Sequence, residues 1–205
     1  MPRQNRILPT GDILRHPARG NLMGNRGILH DTGAHDHGAL THRRWQHKAW
    51  VCCVLSFKNR RRTLMAPHRY TELFFHDEAV ALAAGHRPCA ECRRADHKAY
   101  FAAAGHTGSA PAFDQHLHTA RAIPRKFLQK RPLMAVADLP DATFVLDGER
   151  PLMLMADMAL PFTPDGYSTP IKRPQGTLPV LTPAPSIRAL RGGFAPQLHL
   201  PDSLT

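Results

Sequence analysis

FFHDEAVALAAGHRPCAECRR, residues 74–94, joins a helix to a cysteine turn, and the fold is read outward from that junction. Asp77 suits an N-cap, because a short acidic side chain ahead of the run EAVALAA accepts from one of the helix's unpaired amide groups. Gly85 ends the helix, since glycine closes a helix in the left-handed region without a Cβ clash. The chain then runs through His86, Arg87 and Pro88 into Cys89-x-x-Cys92. The cysteine turn is thus held at the carboxyl end of one helix. A second helix, beginning near Cys92 or Asp96, leads away to Gly105. Arg93 and His97, and Arg94 and Lys98, are four apart on it and make one face basic, while Tyr100, Phe101 and Ala104 offer a packing surface.

Upstream, AWVCCVLSF at 49–57 has the β-branched and aromatic content of a buried strand. Its period of two sets Val51, Cys53, Leu55 and Phe57 on one face and Trp50, Cys52 and Val54 on the other. Arg43, Arg44 and Lys48 precede it, Lys58, Arg60, Arg61 and Arg62 follow, and no acid lies between 42 and 62. Such a strand fixes guanidinium groups beside a phosphate backbone; two solvated basic ends are the alternative. Tyr70 to Phe75 adds a second short strand.

The four cysteines are not an extracellular staple pattern. CxxC supplies two soft thiolates on a tight turn, half of a tetrahedral zinc site, and the strand upstream can add a third. Cys52 and Cys53 point to opposite faces of a regular strand, so both cannot hold one ion there. The expected set is Cys53, Cys89 and Cys92 with His86 as fourth ligand. His68, His47 and His30 are the other candidates, and Cys52 is the alternative from the strand. Core packing by Cys52 and Cys53, or a redox pair at Cys89 and Cys92, are the competing readings.

The rest of the chain divides by composition. Net charge is +11 over 205 residues, with +9 in residues 1–105 and +2 in residues 106–205. A polyanionic partner is favoured, and its contact surface is expected in the first half. Fourteen of the nineteen prolines follow residue 105, where they interrupt long helices. Residues 11–38 read as turns with short strands. Their RGNLMGNRG lacks the order of a phosphate-binding P-loop, and HDTGAHDH at 30–37 is either a polar loop or a metal-binding one. A third helix is expected from Asp114 to Arg121. PDATFVLDGERPLMLM then forms two strands turning at Asp147-Gly148, and Ser186 caps a brief IRALR helix ended by Gly192 and Gly193. The expected fold is α+β: a loop-rich extension at 1–39, a small zinc-linked unit of short strands and two or three helices at 40–108, and a β-rich part at 109–205 packed against it. No apolar run reaches the ~20 residues of a membrane helix. No apolar segment follows Arg3 and Arg6, so a cytoplasmic location is the expectation.

Residues 74–94 resemble the end of the metal-binding amino-terminal domain of Ada-type DNA repair proteins: a phenylalanine-containing strand, a helix reading EALAAG, then aromatic-Arg-Pro-Cys and a second cysteine. The resemblance covers about 40 residues and implies that Cys89 and Cys92 ligate zinc, that Gly85 closes the helix and that Arg87 lies beside the site. In that domain the first two cysteines form Cys-x-x-x-Cys, and ungapped placement puts them at Lys58 and Arg62, neither of which binds zinc. The first of those cysteines accepts a methyl group from a DNA phosphotriester, so that activity is not expected here. The whole chain also resembles a family of uncharacterised bacterial proteins in which YTELFF precedes this CxxC element, which implies no function.

The leading functional expectation is a zinc-stabilised protein that binds the phosphate backbone of DNA or RNA through Arg60, Arg61, Arg62, Arg93, Arg94 and Lys98, in DNA repair or regulation. Tyr70 or Trp50 would stack on a base only if exposed. A metal-assisted enzyme on nucleic acid is the second reading, with Glu72, His116, His118 and Arg121, or Asp31, His35 and His37, as its chemistry. The chain has no HExxH, which argues against zinc proteolysis. A protein-binding adaptor is the third.

Overall fold

The computed structural model describes residues 1–31, 39–60 and 63–201. It is an α+β structure, mostly β. Six strands make the first sheet: β1 (Gln4–Ile7), β2 (Ile13–Arg15), β3 (Leu22–Asn25), β4 (Val51–Val54), β5 (Leu73–Phe75) and β6 (Arg87–Pro88), in the order β2-β1-β5-β3-β4-β6. Residues 1–39, expected as a loop-rich extension, instead supply three of these strands, and β3 lies between β4 and β5. LMGN in β3 gives little propensity of its own; ladders on both sides hold it. Gly24 is required there, since an added Cβ would meet the Phe75 ring and the Val51 carbonyl.

Helix α1 (Glu78–Ala83) begins where Asp77 accepts from the Val80 amide at 3.0 Å and is followed by Gly85 at φ +82°. All six of its residues are buried, including Glu78. Helix α2 (Arg94–Ala103) follows the cysteine turn, and α3 (Ala110–Arg121) starts four residues earlier than Asp114, because Ser109 caps it and Pro111 fits its first turn. Helix α4 (Ala184–Arg191) likewise begins before Ser186, with Pro183 at its N-cap; Ser186 lies inside and its hydroxyl meets the Tyr100 hydroxyl at 2.8 Å.

Phe144–Asp147 and Arg150–Met155 pair as the hairpin expected at Asp147-Gly148, and Met158–Thr163, Gly166–Tyr167 and Ile171–Lys172 complete a five-stranded sheet. Arg150–Met155 is buried on both faces: Met153 joins the main core with Phe75, Leu82 and Leu22, and Leu152 and Leu154 join a second cluster with Val136, Val180 and Ile187. The main core also takes in Ile7, Phe144, Leu160 and Leu190, so it gathers residues from every part of the chain. No helix among the described residues is long and apolar enough to cross a membrane.

Two buried ion pairs tie the cysteine turn to this body. Arg87 forks onto Asp114 of α3 at 2.6 and 2.7 Å, with both side chains under a tenth exposed. Arg93 holds Glu78 of α1 at 2.7 Å and Asp96 at 2.8 Å. Removing one partner of such a pair leaves the other charged and desolvated. Asp114→Ala is expected to lower unfolding stability by about 3–5 kcal/mol in urea denaturation, whereas Asp147→Ala, at an exposed pair, is expected to change it by less than about 1 kcal/mol.

Candidate metal centre

β4 runs parallel to β6, with Val51 beside Arg87 and Cys52 beside Pro88. The ladder extends one step further, as the Cys89 amide donates to the Cys52 carbonyl at 2.9 Å. This brings the cysteine turn alongside Cys53. The sulfurs of Cys53, Cys89 and Cys92 all lie within 4.8 Å of one another and can hold a metal ion. Strand alternation chooses between the neighbouring cysteines: Cys52 faces the core, fully buried, where its sulfur accepts from Arg93 Nη1 at 3.8 Å, and Cys53 faces the turn. The observed strand is shorter than 49–57, ending at Val54 and leaving Leu55 exposed.

The turn is shaped for thiolates. The Glu91 amide donates to Cys89 Sγ at 3.4 Å, and the Val54 amide donates to Cys92. Cys89 is pushed down to about 5, chiefly by the hydrogen bond from the Cys53 thiol. Cys53 is pushed up by that same bond and by burial, and burial pushes Cys92 up. Three sulfurs that share protons in this way are a soft donor set that suits zinc, which binds thiolates after displacing their protons.

His86 does not join them. It is fully buried between Trp50, with ring centroids 5.5 Å apart, and Phe75, at 4.6 Å, and its Nε2 accepts from Arg26 Nε at 3.4 Å. The residue just after the Gly85 turn points into the core, away from the sulfurs. His47 bonds Asn25, His30 bonds Thr71, and neither they nor His68 enters the cluster. Among the described residues no fourth ligand completes it.

A cleft of about 280 Å³ opens on the three sulfurs. Register sets one of its walls, because Phe74 of β5, Met23 of β3 and Cys53 of β4 stand in one row across the sheet. Leu64 and Phe57 add apolar surface, and Glu72, 2% exposed, adds a carboxylate whose Oε2 accepts from the Met65 amide at 2.8 Å. Glu72 was a candidate from sequence; Met23 and Leu64 were not, since only the sheet order brings them here.

The expected basic surface is only partly formed. Arg93 is a correction: it is buried, with all its charge directed to Glu78, Asp96 and Cys52, because two carboxylates converge on it from α1 and α2. Arg60 is exposed and forks onto Glu91 of the cysteine turn at 2.6 and 3.3 Å. Arg94 and Lys98 are exposed one turn apart on α2. Arg61, Arg62, His35 and His37 lie outside the described residues. Arg121 is no phosphate clamp; it is fully buried and donates to the Gly85 and Lys48 carbonyls. His118 is pushed down to about 4 by burial and by Arg121, and His116 is exposed. Trp50 is 2% exposed and cannot stack on a base.

Comparison with protein-family models, with curated proteins and with solved structures finds no match to this chain.

Burial, reinforced by Arg26 and Arg121, holds His86 well below its usual range, so it is neutral when folded. The unfolded imidazole takes up a proton below about pH 6.5 and the folded one does not, so stability is full above that pH and is lost as pH falls. His86 is expected to contribute up to about 1.4 kcal/mol per pH unit between pH 6 and 5, beside the slope from the likewise lowered His118, His47 and His97, and His86→Gln is expected to reduce the slope without abolishing it, read from urea denaturation at each pH.

Proposed function

We propose that this chain is a zinc-holding, nucleic-acid-binding protein. The observation that carries the reading is the meeting of Cys53, Cys89 and Cys92 sulfurs on a body of net charge +11. Bound zinc would join β4 to the turn before α2, a link between segments 36 residues apart in the chain, and so contribute to folding of a zinc-linked unit. The charge supports a phosphate-backbone partner, to which Arg94 and Lys98 contribute exposed cations. The Ada-type resemblance points the same way and supports a place in DNA repair or regulation. Lys58 and Arg62 stand where that domain has its Cys-x-x-x-Cys element, so methyl transfer is not part of the reading.

Purified protein is expected to contain zinc at a ratio of about one per chain. Cys92→Ser and Cys53→Ser are expected to lose it, and Cys52→Ser to keep it, measured by elemental analysis. Anisotropy of a labelled oligonucleotide is expected to show binding that weakens steeply as salt is raised. No binding at low salt would overturn the nucleic-acid half of the reading, and equal zinc in Cys52→Ser and Cys53→Ser would overturn the metal half.

One observation favours a second reading, a metal-assisted enzyme on nucleic acid: Glu72 and the three sulfurs line the same cleft. Cys53, Cys89 and Cys92 would hold the zinc, which would supply Lewis-acid polarisation of a substrate oxygen. In that cleft Glu72 is the group that takes or returns a proton, with the Met65 amide fixing one of its oxygens. Glu72→Gln is expected to cut any nuclease or phosphatase turnover by about 10²-fold or more with zinc content and oligonucleotide affinity unchanged. Unchanged turnover would remove Glu72 from the chemistry.

A further inference from the structure

A second, larger cleft of about 810 Å³ lies away from the cysteines, between the segment around Gly11, the loop carrying Trp45 and Trp50, and the hairpin from Ile123 to Arg131. Arg26, Arg44, Arg125, Lys126 and Arg131 line it against one carboxylate, Asp12. None of these five cations is ion-paired among the described residues. The cleft also has an aromatic wall: Trp45 is half-buried, with Phe127 at 4.9 Å and Trp50 at 5.4 Å between ring centroids.

The base of the cleft is the unusual part. Trp50 lies between two buried guanidinium groups, Arg26 at 4.1 Å and Arg121 at 3.7 Å from its ring centroid. Arg26 donates to the Ala84 carbonyl at 2.9 Å and the Gly11 carbonyl at 3.3 Å, Arg121 donates to carbonyls, and Arg121 Nε has no partner. Neither meets a carboxylate. Asp12 acts on Arg26 and Asp114 on Arg121 only at longer range, and with a ring face and carbonyl dipoles they offset only part of the cost of burying these charges. Burial accordingly pushes Arg26 down to about 9. An anion in the cleft would complete the balance. The tip of the hairpin holds Arg125 and Phe127 at φ 65° and 52°, a left-handed conformation that costs energy in residues with a Cβ and that recurs at ligand sites.

We propose that this cleft binds a nucleotide unit, its base against Trp45 and Phe127 and its phosphate on Arg125, Lys126 and Arg131. The volume is within the range of small-molecule sites, and an unpaired base has the π-face such a wall accepts, whereas the bases of a duplex are already stacked. The unit can come from a single strand or be a free mononucleotide. The proposal rests on the nucleic-acid reading for the first source and stands without it for the second.

Trp45 and Trp50 are the chain's two tryptophans, so its indole emission reports on this cleft. A (dT)10 oligonucleotide is expected to quench that emission saturably, with affinity falling as salt rises, and a duplex of the same length to quench it at least about tenfold less well. Arg125→Glu with Lys126→Glu, both at exposed positions, is expected to weaken (dT)10 about tenfold or more and to flatten the salt dependence. Lys172→Glu with Arg188→Glu, the same change of charge at exposed positions outside the cleft, is expected to leave the quenching unchanged. Titration with AMP separates the sources: quenching by AMP and not by (dT)10 assigns the cleft to free nucleotides. Oligonucleotide binding seen by anisotropy and abolished by Arg94→Glu with Lys98→Glu, with indole emission unaltered by (dT)10 and by AMP alike, overturns the proposal and leaves the nucleic-acid reading intact. Absence of binding by any oligonucleotide removes that reading, and absence of AMP quenching as well removes the proposal.

Discussion

The parallel pairing of β4 with β6 is the constraint on which the rest of the structure depends. It is short, only Val51 beside Arg87 and Cys52 beside Pro88 before the Cys89 amide closes on the Cys52 carbonyl. Two residues of ladder would not hold an exposed turn. Arg87, two before Cys89, is locked onto Asp114, and Arg93, next after Cys92, is locked onto Glu78 and Asp96. Each guanidinium is buried, so releasing either would strand a charge in a poorly solvating interior. The turn is thereby fixed at both ends by interactions that cannot be broken singly at small cost, and Cys89 and Cys92 inherit that rigidity.

Three groups of arginines separate by what each guanidinium meets. Arg87 and Arg93 meet carboxylates and act as internal ties. Arg26 and Arg121 meet carbonyls and the two faces of Trp50, which leaves positive charge inside the protein. Arg44, Arg125 and Arg131 line a cleft without an ion pair among the described residues. The +9 of the first half therefore overstates its anion-facing surface, because Arg26, Arg87 and Arg93 are consumed inside. The nearly neutral second half contributes three cations to the most basic cleft, since its hairpin folds back against the Trp45 loop. Net charge by segment measures composition; which charges face outward is decided by tertiary pairing.

What could be read along the chain was what is decided locally. Asp77 as cap, Gly85 as stop, the cysteine turn, the Asp147-Gly148 hairpin and the opposite faces of Cys52 and Cys53 all follow from residues within a few positions of one another. What was missed depends on distant partners. Arg93 has the spacing of a surface cation on α2, but Glu78 reaches it from fifteen residues upstream. His86 has the sequence position of a ligand, but the packing of Trp50 and Phe75 draws it inward. β3 carries no alternation to announce it, and its central place arises from ladders to β4 and β5. Trp45 drew no notice beside Trp50, although it is the tryptophan left half-buried once Arg26 and Arg121 have enclosed the other.

The two clefts share a strand. Trp50, immediately before β4, lines the basic cleft, and Cys53, three residues further, lines the cleft at the cysteines. The Cα positions are about 10 Å apart at strand rise, and alternation sends the two side chains to opposite faces. Between them Cys52 is packed without exposed area, and Arg93 bonds its sulfur on the core side. Holding Cys53 from one face thus restrains the backbone that carries Trp50 on the other, through a segment with no free volume in which to absorb a shift. β4 is short, and Gly24 of β3 leaves no room for a Cβ between the Val51 carbonyl and the Phe75 ring. The candidate metal centre and the cation-lined cleft thus lie on either side of one strand, and the order of Trp50, Cys52 and Cys53 along it separates the cleft's buried base, the core and the candidate ligand.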